Sequence, residues 1–533
     1  MKTTAYYITE KGNFTFDPSE FYKFIYNIRT PLHVIYEGDK KTPGLATGGE
    51  ISSSNKKGIP LIASLPAIYP EWLGDRSFLE THNVRFAYTG GAMAGGIASS
   101  SMVIELARCG MMGFLGSGGM NIEEIEKEIK YISDKLDNEG LSWGVNLIHS
   151  PQNPSLEEKL VELYLKYGVR RISAAAFTSV TPHLVRFAVK GLYRDNKGFI
   201  RRKNYIFAKI SHPLVARYFI SPPPEEILKS LVSGKKITSE EAELAEKIPL
   251  CEDIDIEGSS GGHTDDRPLN AIFPVILSLC NEISDKYKCN IRAGAAGGIG
   301  TPHAVASAFA MGASHIVVGS AHQSSIEAGT SGEVKELLGK ATVTDVMMTV
   351  SADMFEMGSK IQVLKRGTMM GVRGNILYDI YKNYNSIEDI PKKTVHDIEK
   401  NIFGMPLQHV WEKTKDYFTV FAPEQVQSAQ IKEKHKMALI FKWYLGNSSQ
   451  WAIQGQSERR LDYQIWCSPA MGAFNDWVKG TFLENQEKRK IKQIALNLME
   501  GGAIVTRAHQ LRNCGVPVKN NMFLYRPEVL DVN

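Results

Sequence analysis

Eight short apolar runs, separated by helical stripes and ending in glycine-rich or polar turns, predict an α/β chain built on a closed (β/α)8 barrel. The runs begin at Phe86, Met111, Ser142, Val169, Asn204, Asp253, Asn290 and His315. Strands that alternate with helices pair in parallel through right-handed crossovers, and eight such units close naturally on themselves as a TIM barrel. An open, doubly wound sheet is the structural rival.

Each element has a local reason. Residues 1–57 are mixed and polar, and their closing run GGEISSSNKKG reads as a loop or linker. After the second strand, Ile122, Ile125, Ile129, Ile132 and Leu136 form one apolar stripe on a charged helix, with Asn121 as its cap. After the third, Ser155 and Glu158 match a capping box, Leu156, Leu160, Leu163 and Tyr167 supply a buried face, and Gly168 ends the helix. The long interval after the fifth strand holds SPPPEEILKSLVSG and a second capping box, Thr238 to Glu241, so residues 213–250 read as a helical insertion near one barrel mouth. Beyond Ala321 the alternation stops. Residues 346–450 read as a helical region and 451–533 as a C-terminal segment packing on the barrel, which itself spans 58–345.

Composition narrows the class. With 533 residues, 43% hydrophobic and 23% charged, the chain is a packed globular protein, neither disordered nor fibrous. A net charge of +4 gives no reason to expect nucleic acid as a partner. Six scattered cysteines without a CxxC pair suggest neither a disulfide framework nor a metal site, and a reducing, cytoplasmic location fits them. No membrane partner is expected, because the longest apolar stretch, Ala271 to Cys280, is about half a span. A closed homodimer is the commonest assembly for such a chain.

In a parallel barrel the loops after the strand C-termini build the site. The seventh strand ends in AGAAGGIGTP (Ala293 to Pro302) and the eighth in VVGSA (Val317 to Ala321). Glycines let backbone N–H groups approach an anion and a helix N-terminus adds positive charge, so these loops predict a phosphate cradle. Neither fits GxGxxG or a P-loop. The sixth strand ends in GSSGGHTDDRP, which puts His263 at the mouth as a hydrogen-bond or proton donor. The same run matches GxSxG at Ser260, a nucleophile pattern that needs a strand-to-helix turn. Asp265, Asp266 and Arg267 read as surface charges that pair with one another. Lys209 ends the fifth strand, Asn146 the third, and Met93 sits among the glycines after the first, Gly95 included. One phosphate, one flat polar ring and one nearby cation describe flavin mononucleotide; a phosphorylated sugar fits these residues almost as well.

The residues also carry a resemblance. GVN after strand three, GGH after strand six and GGI in loop seven are shared with flavin-dependent enoyl reductases of the FabK type and with nitronate monooxygenases. SGGHTDDRP (Ser260 to Pro268), AGGIGTP (Ala296 to Pro302), ADMFEMGSKIQVLKRGTMM (Ala352 to Met370) and DYQIWCSPAMGAFNDWVKG (Asp462 to Gly480) most resemble the PfaD family, the stand-alone enoyl reductases of polyunsaturated fatty acid and trans-acyltransferase polyketide synthases. The likeness runs from about Ile59 to about Arg507.

The resemblance implies a barrel with a helical substrate-binding portion, FMN and NADPH as cofactors, and reduction of an enoyl thioester on an acyl carrier protein domain. Gly297, Gly298, Gly300, Gly319 and Ser320 would hold the FMN phosphate, Met93, Asn146 and Lys209 the ring, and Lys209 and His263 would be catalytic. The methionines after the barrel would line an entrance, and Arg201, Arg202 and Lys203 at its rim would meet an acidic carrier protein. Relatives are often fused to an acyltransferase domain; this chain shows none and would act in trans. Trp466, Pro469 and Asn475 carry the family signature and are read as packing residues. A nitronate monooxygenase, a silent carrier-docking subunit and a flavin-free barrel acting on a phosphorylated metabolite are the alternatives.

Overall fold

The computed structural model describes residues 5–38, 42–54, 57–150 and 153–531. The mixed, polar N-terminal segment, with residues 59–65, forms a small antiparallel barrel, and its closing run is no linker. Strands β1 (Tyr6–Thr15), β2 (Leu32–Glu37), β3 (Thr42–Ser52) and β4 (Ile59–Leu65) close in the order β1-β3-β2-β4. Its core is small: Tyr7, Ile35 and Ala46 are fully buried. The glycine run belongs to β3, where Gly48 and Gly49 take left-handed φ at 66° and 68° opposite a register shift between Ile8 and Gly12. Two residues of that run, 55 and 56, lie outside the described residues.

The large barrel contains β5 (Tyr88–Gly90), β6 (Met112–Leu115), β7 (Gly144–Ile148) and β8 (Arg171–Ala175). A two-stranded ribbon follows, β9 (Tyr193–Arg194) with β10 (Ile200–Arg201). The barrel then takes β11 (Tyr205–Ile210) and β12 (Asp253–Glu257). After a short strand, β13 (Gly262–His263), it is completed by β14 (Arg292–Ala296) and β15 (Ile316–Val318). Its eight strands are parallel and close in chain order, β15 pairing with β5. The apolar runs were readable because a strand buried on both faces has no polar side to interrupt it.

Helices cover the barrel. Ile122–Leu136 is capped by Asn121, whose side chain and that of Glu124 form both halves of a capping box, and it buries Ile125, Ile129, Ile132 and Leu136. The next helix starts two residues earlier than its sequence suggests. Asn153 is the cap, accepting from the Leu156 N–H at 3.2 Å, and Pro154 takes the first turn, where its missing N–H costs nothing. Ser155 is already inside and donates its hydroxyl to Asn153 Oδ1. After β11 come three short helices, Pro213–Phe219, Glu225–Ser233 and Ser239–Ala245, the last with the Thr238–Glu241 capping box.

The region read as helical from residue 346 opens instead with a hairpin, β16 (Val346–Val350) and β17 (Lys360–Leu364), and β17 also pairs with β13. Helices follow, among them Met370–Asn383 and Glu433–Gln454. The C-terminal helix Ile491–Asn513 packs on Pro302–Ala310 of the barrel. Buried Arg507 on that helix donates to the carbonyls of Ile28, Thr30 and Pro66, tying it to the small barrel. Among the described residues no helix is long and apolar enough to cross a membrane.

Candidate active site

The C-terminal ends of the large barrel's strands open onto a cavity of about 940 Å³, at the upper end of the range for ligand sites. Its lining unites the ends of β5, β7, β8, β11, β12, β14 and β15 with the β16–β17 hairpin and the segment around Trp466.

One wall is a glycine cradle. Gly297 and Gly298 adopt left-handed φ of 84° and 76°. A Cβ on Gly297 would lie 2.8 Å from the carbonyl oxygens of Gly258 and Ser259, so only glycine fits. A Cβ on Gly298 or Gly319 would meet nothing within 4 Å, leaving open space over both. Thr301 caps the helix that follows, accepting from the Ala304 N–H. Ser320 joins this wall, its hydroxyl 3.0 Å from that of Ser468. Gly300 does not reach the cavity: a Cβ there would lie 2.3 Å from the Ala470 carbonyl oxygen, so Gly300 lets the C-terminal segment approach. Gly95 is likewise outside the lining. It serves a turn, with φ 69° and its N–H donating to Gly118 O at 2.7 Å.

The rest of the lining includes Met93 and several polar side chains. Met93 lines the cavity, and so does buried Asn146, whose amide donates to Ser173 O at 2.9 Å. Lys209 Nζ stands 2.8 Å from Glu257 Oε1. Burial alone would lower the Lys209 pKa, but the carboxylates of Glu257 and Asp255 outweigh it and leave the ammonium above its ordinary range. His263 lies on β13, held by pairing with Ile361 of β17, and its Nε2 is 3.0 Å from Asp353 Oδ1. Asp353 is ionised: burial works against the charge, yet the hydrogen bond and charge of His263 bring the carboxyl below its usual range. Ser260 Oγ is buried in the lining without a hydrogen-bond partner. It precedes a strand and not a helix, so no nucleophile elbow forms.

Several expectations change. Arg201, Arg202 and Lys203 precede β11 and so lie at the opposite end of the barrel from the cavity. Arg201 pairs with Asp195 and Arg202 with Glu252, the latter arginine almost fully buried, so they form no entrance rim. Asp265 and Asp266 do not pair with Arg267; they accept hydroxyl hydrogen bonds from Ser211 and Ser259. Of the post-barrel methionines, Met348 and Met354 reach the cavity, while Met357 and Met369 face solvent and Met370 is core. Trp466 lines the cavity beside Gly262, whereas Asn475 is a packing residue that donates to the carbonyls of Leu338 and Ala341. Glu257, Asp353 and Ser468 escaped sequence reasoning. Glu257 ends a barrel strand and was open to the same rule that found Lys209. Asp353 lies inside a family motif that carries no local sign of its partner.

Residues 79–369, more than half of the chain, match the nitronate monooxygenase family. The chain belongs to this family. Residues 384–463 match the inserted helical domain of [acyl-carrier-protein] S-malonyltransferase. The chain is 39% identical to the enoyl reductase domain of MlnA from the macrolactin biosynthesis cluster of Bacillus amyloliquefaciens. That solved structure superposes with a TM-score of 0.80, covering 83% of this chain and 99% of the domain. The chain is also 43% identical to polyketide biosynthesis protein PksE of Bacillus subtilis, over 82% of this chain and 57% of that protein. It is 40% identical to a polyunsaturated fatty acid synthase polypeptide of Thraustochytrium sp., over 85% of this chain and 31% of that polypeptide. The chain thus spans less than two thirds of these two relatives. Its place in the PfaD family, read from four motifs, is borne out by these likenesses.

Proposed function

We propose that the protein is an FMN- and NADPH-dependent enoyl reductase that acts in trans, in the cytoplasm, on thioesters carried by acyl carrier protein domains of a polyketide or fatty acid synthase. The observation that carries this reading is one cavity lined both by an uncovered glycine cradle and by Lys209 and His263. Its likeness to an enoyl reductase domain over nearly the whole of that domain supports the choice of substrate.

The residues present fit a flavin. Open space over Gly298 and Gly319, the buried unpartnered hydroxyl of Ser260 and a cation at Lys209 are the features a phosphorylated, electron-accepting ring needs. Gly297, Gly298, Gly319 and Ser320 would hold the phosphate, and Met93, Asn146 and Lys209 would border the ring. When bound, the flavin supplies hydride exchange between NADPH and the β-carbon of the enoyl chain.

The chain's own contribution is electrostatic and positional. Lys209 offers an ammonium where negative charge develops, and Glu257 keeps it charged and oriented. His263 gives a proton to the α-carbon, which completes addition of two hydrogens across the double bond as NADPH becomes NADP⁺. Met348, Met354 and Trp466 exclude water from the acyl chain.

An anaerobic visible spectrum of the purified protein tests this. Flavin bands should bleach with NADPH and return with a crotonyl thioester on a carrier protein. The family match favours a second reading, a nitronate monooxygenase. Bands that return only with oxygen, together with oxygen uptake on a nitroalkane, would select it, and absence of flavin after FMN supplementation would leave a silent docking subunit.

A further inference from the structure

We propose that Asp353 is the positioning residue of His263, fixing the imidazole so that Nδ1 faces the reacting carbon. This rests on the enoyl-reductase reading of the cavity, which assigns His263 its proton.

The two residues are distant in sequence and meet through sheet register. Pairing of Gly262 with Gln362 and of His263 with Ile361 sets β13 beside the β16–β17 hairpin. The turn of that hairpin then delivers Asp353 Oδ1 to His263 Nε2 at 3.0 Å. An ionised carboxylate only accepts, so Nε2 carries the hydrogen and Nδ1 is the nitrogen left to serve a substrate. For Nδ1 to give a proton the ring must be the imidazolium, the form that a carboxylate partner stabilises.

The turn is built to hold this geometry. Its base is closed by the Ser351 N–H donating to Ser359 O at 2.9 Å. Phe355, fully buried, packs against the rings of Tyr378, Tyr381 and Phe441. Glu356 is tied to the long helix Glu433–Gln454 by His435 Nδ1 at 2.8 Å and Lys442 Nζ at 3.4 Å. Gly358, with φ 69°, makes the close approach to Tyr378 that a Cβ would forbid. Asp353 is therefore carried on a clamped turn although its own side chain is half exposed.

Other carboxylates near the ring are already engaged. On the loop that carries His263, Asp265 is held by Ser211, and Asp266 by Ser259 and Gln362. Glu257 is paired with Lys209. Lys360 on β17 is the neighbouring cation of the lining. Among the described residues Asp353 is the one carboxylate within 4 Å of His263.

The test uses the flavin-loaded protein and the near-isosteric variant Asp353→Asn. Reoxidation by crotonyl thioester on a carrier protein should slow by about 10- to 100-fold, because a misoriented general acid loses most of its effect. Bleaching by NADPH, which needs no proton from His263, should stay within about twofold. Asp353→Glu, which keeps a carboxylate acceptor, should restore part of the rate. A second readout needs no flavin. In protein labelled with ¹⁵N-imidazole, the His263 signals, assigned by their loss in His263→Gln, should change tautomer or titration in Asp353→Asn. Reoxidation at the wild-type rate in Asp353→Asn would overturn the proposal. Should the wild-type protein fail to reoxidise with thioester, the enoyl-reductase reading falls, and unchanged His263 signals in the variant would separately overturn the positioning role.

Discussion

The two ends of the large barrel use the same pair of residue types for opposite purposes. At the N-terminal end, His82 Nε2 lies 3.1 Å from Asp253 Oδ2 while its Nδ1 accepts from Arg171 Nε at 3.2 Å, and Arg292 grips Asp253 with two hydrogen bonds of 2.7 Å. Phe78, stacked on buried His315 at 4.2 Å, plugs that end. Both ring nitrogens of His82 are committed and the ring is dry. At the C-terminal end, His263 also meets a carboxylate, Asp353, but the pair is half exposed and borders an open cavity. Both nitrogens of His82 are spent inside the protein, whereas only Nε2 of His263 has a hydrogen-bond partner among the described residues, which is what the proposed proton donor requires.

The largest effect that would sharpen this contrast is Asp253→Ala. It strands Arg292 and His82 in the interior, so chemical denaturation should show a loss of about 3–5 kcal/mol, while the protein that remains folded keeps its cavity chemistry. Unchanged stability would break the comparison at its structural end.

Acid should act through the same buried end. His82 is depressed from 6.5 to about 4, first by burial and then by the positive charge of Arg171 and Arg292, against the opposing pull of Asp253. The folded state keeps the ring neutral where the unfolded chain takes up a proton, so stability is full above about pH 6.5 and declines as pH falls toward 4. The loss should reach about 3 kcal/mol, read from denaturant midpoints at pH 7 and pH 4.5, and substituting His82 by Gln should flatten that slope. A slope equal in the variant would assign the acid lability to other groups.

At the mouth, His263→Ala should reverse the pattern. We expect a fall of about 10²-fold in thioester reduction, near 2.7 kcal/mol, with flavin retained and the denaturation midpoint unmoved. A large loss of stability there would erase the distinction between the two ends. The smallest effect is expected for Gly298→Ala, which imposes a left-handed φ on a side chain at about 1–2 kcal/mol and fills space over the cradle. Weakened FMN binding, measured by flavin fluorescence, would support the cradle, and unchanged affinity would remove it.

Some of this molecule was legible along the chain and some was not. All eight barrel strands, the Asn121 cap and the Thr238–Glu241 box follow from patterns a few residues long. The small N-terminal barrel was missed because β3 has few apolar residues and is interrupted by Gly48 and Gly49, and the core between the strands is only a few side chains. The β16–β17 hairpin was missed because methionine favours helices and the alternation that marks a half-buried strand is weak there. Gly300 and Gly95 were placed at the site because a glycine-rich loop does not say which glycine faces a ligand and which admits a neighbouring segment. Lys209, Asn146, His263, Gly297, Gly298 and Gly319 line one cavity because a parallel barrel sends every strand end to one mouth.

The sequence by itself determined the barrel, the mouth at which its polar strand ends gather, and the family motifs, because periodicity and turn chemistry act over a single element. Only the tertiary structure decided that Asp353 meets His263, that Glu257 meets Lys209, and that Arg201 to Lys203 lie at the far end. Such contacts depend on strand register and helix packing across long stretches of chain, and no local pattern of residues encodes which distant side chain will complete a hydrogen bond.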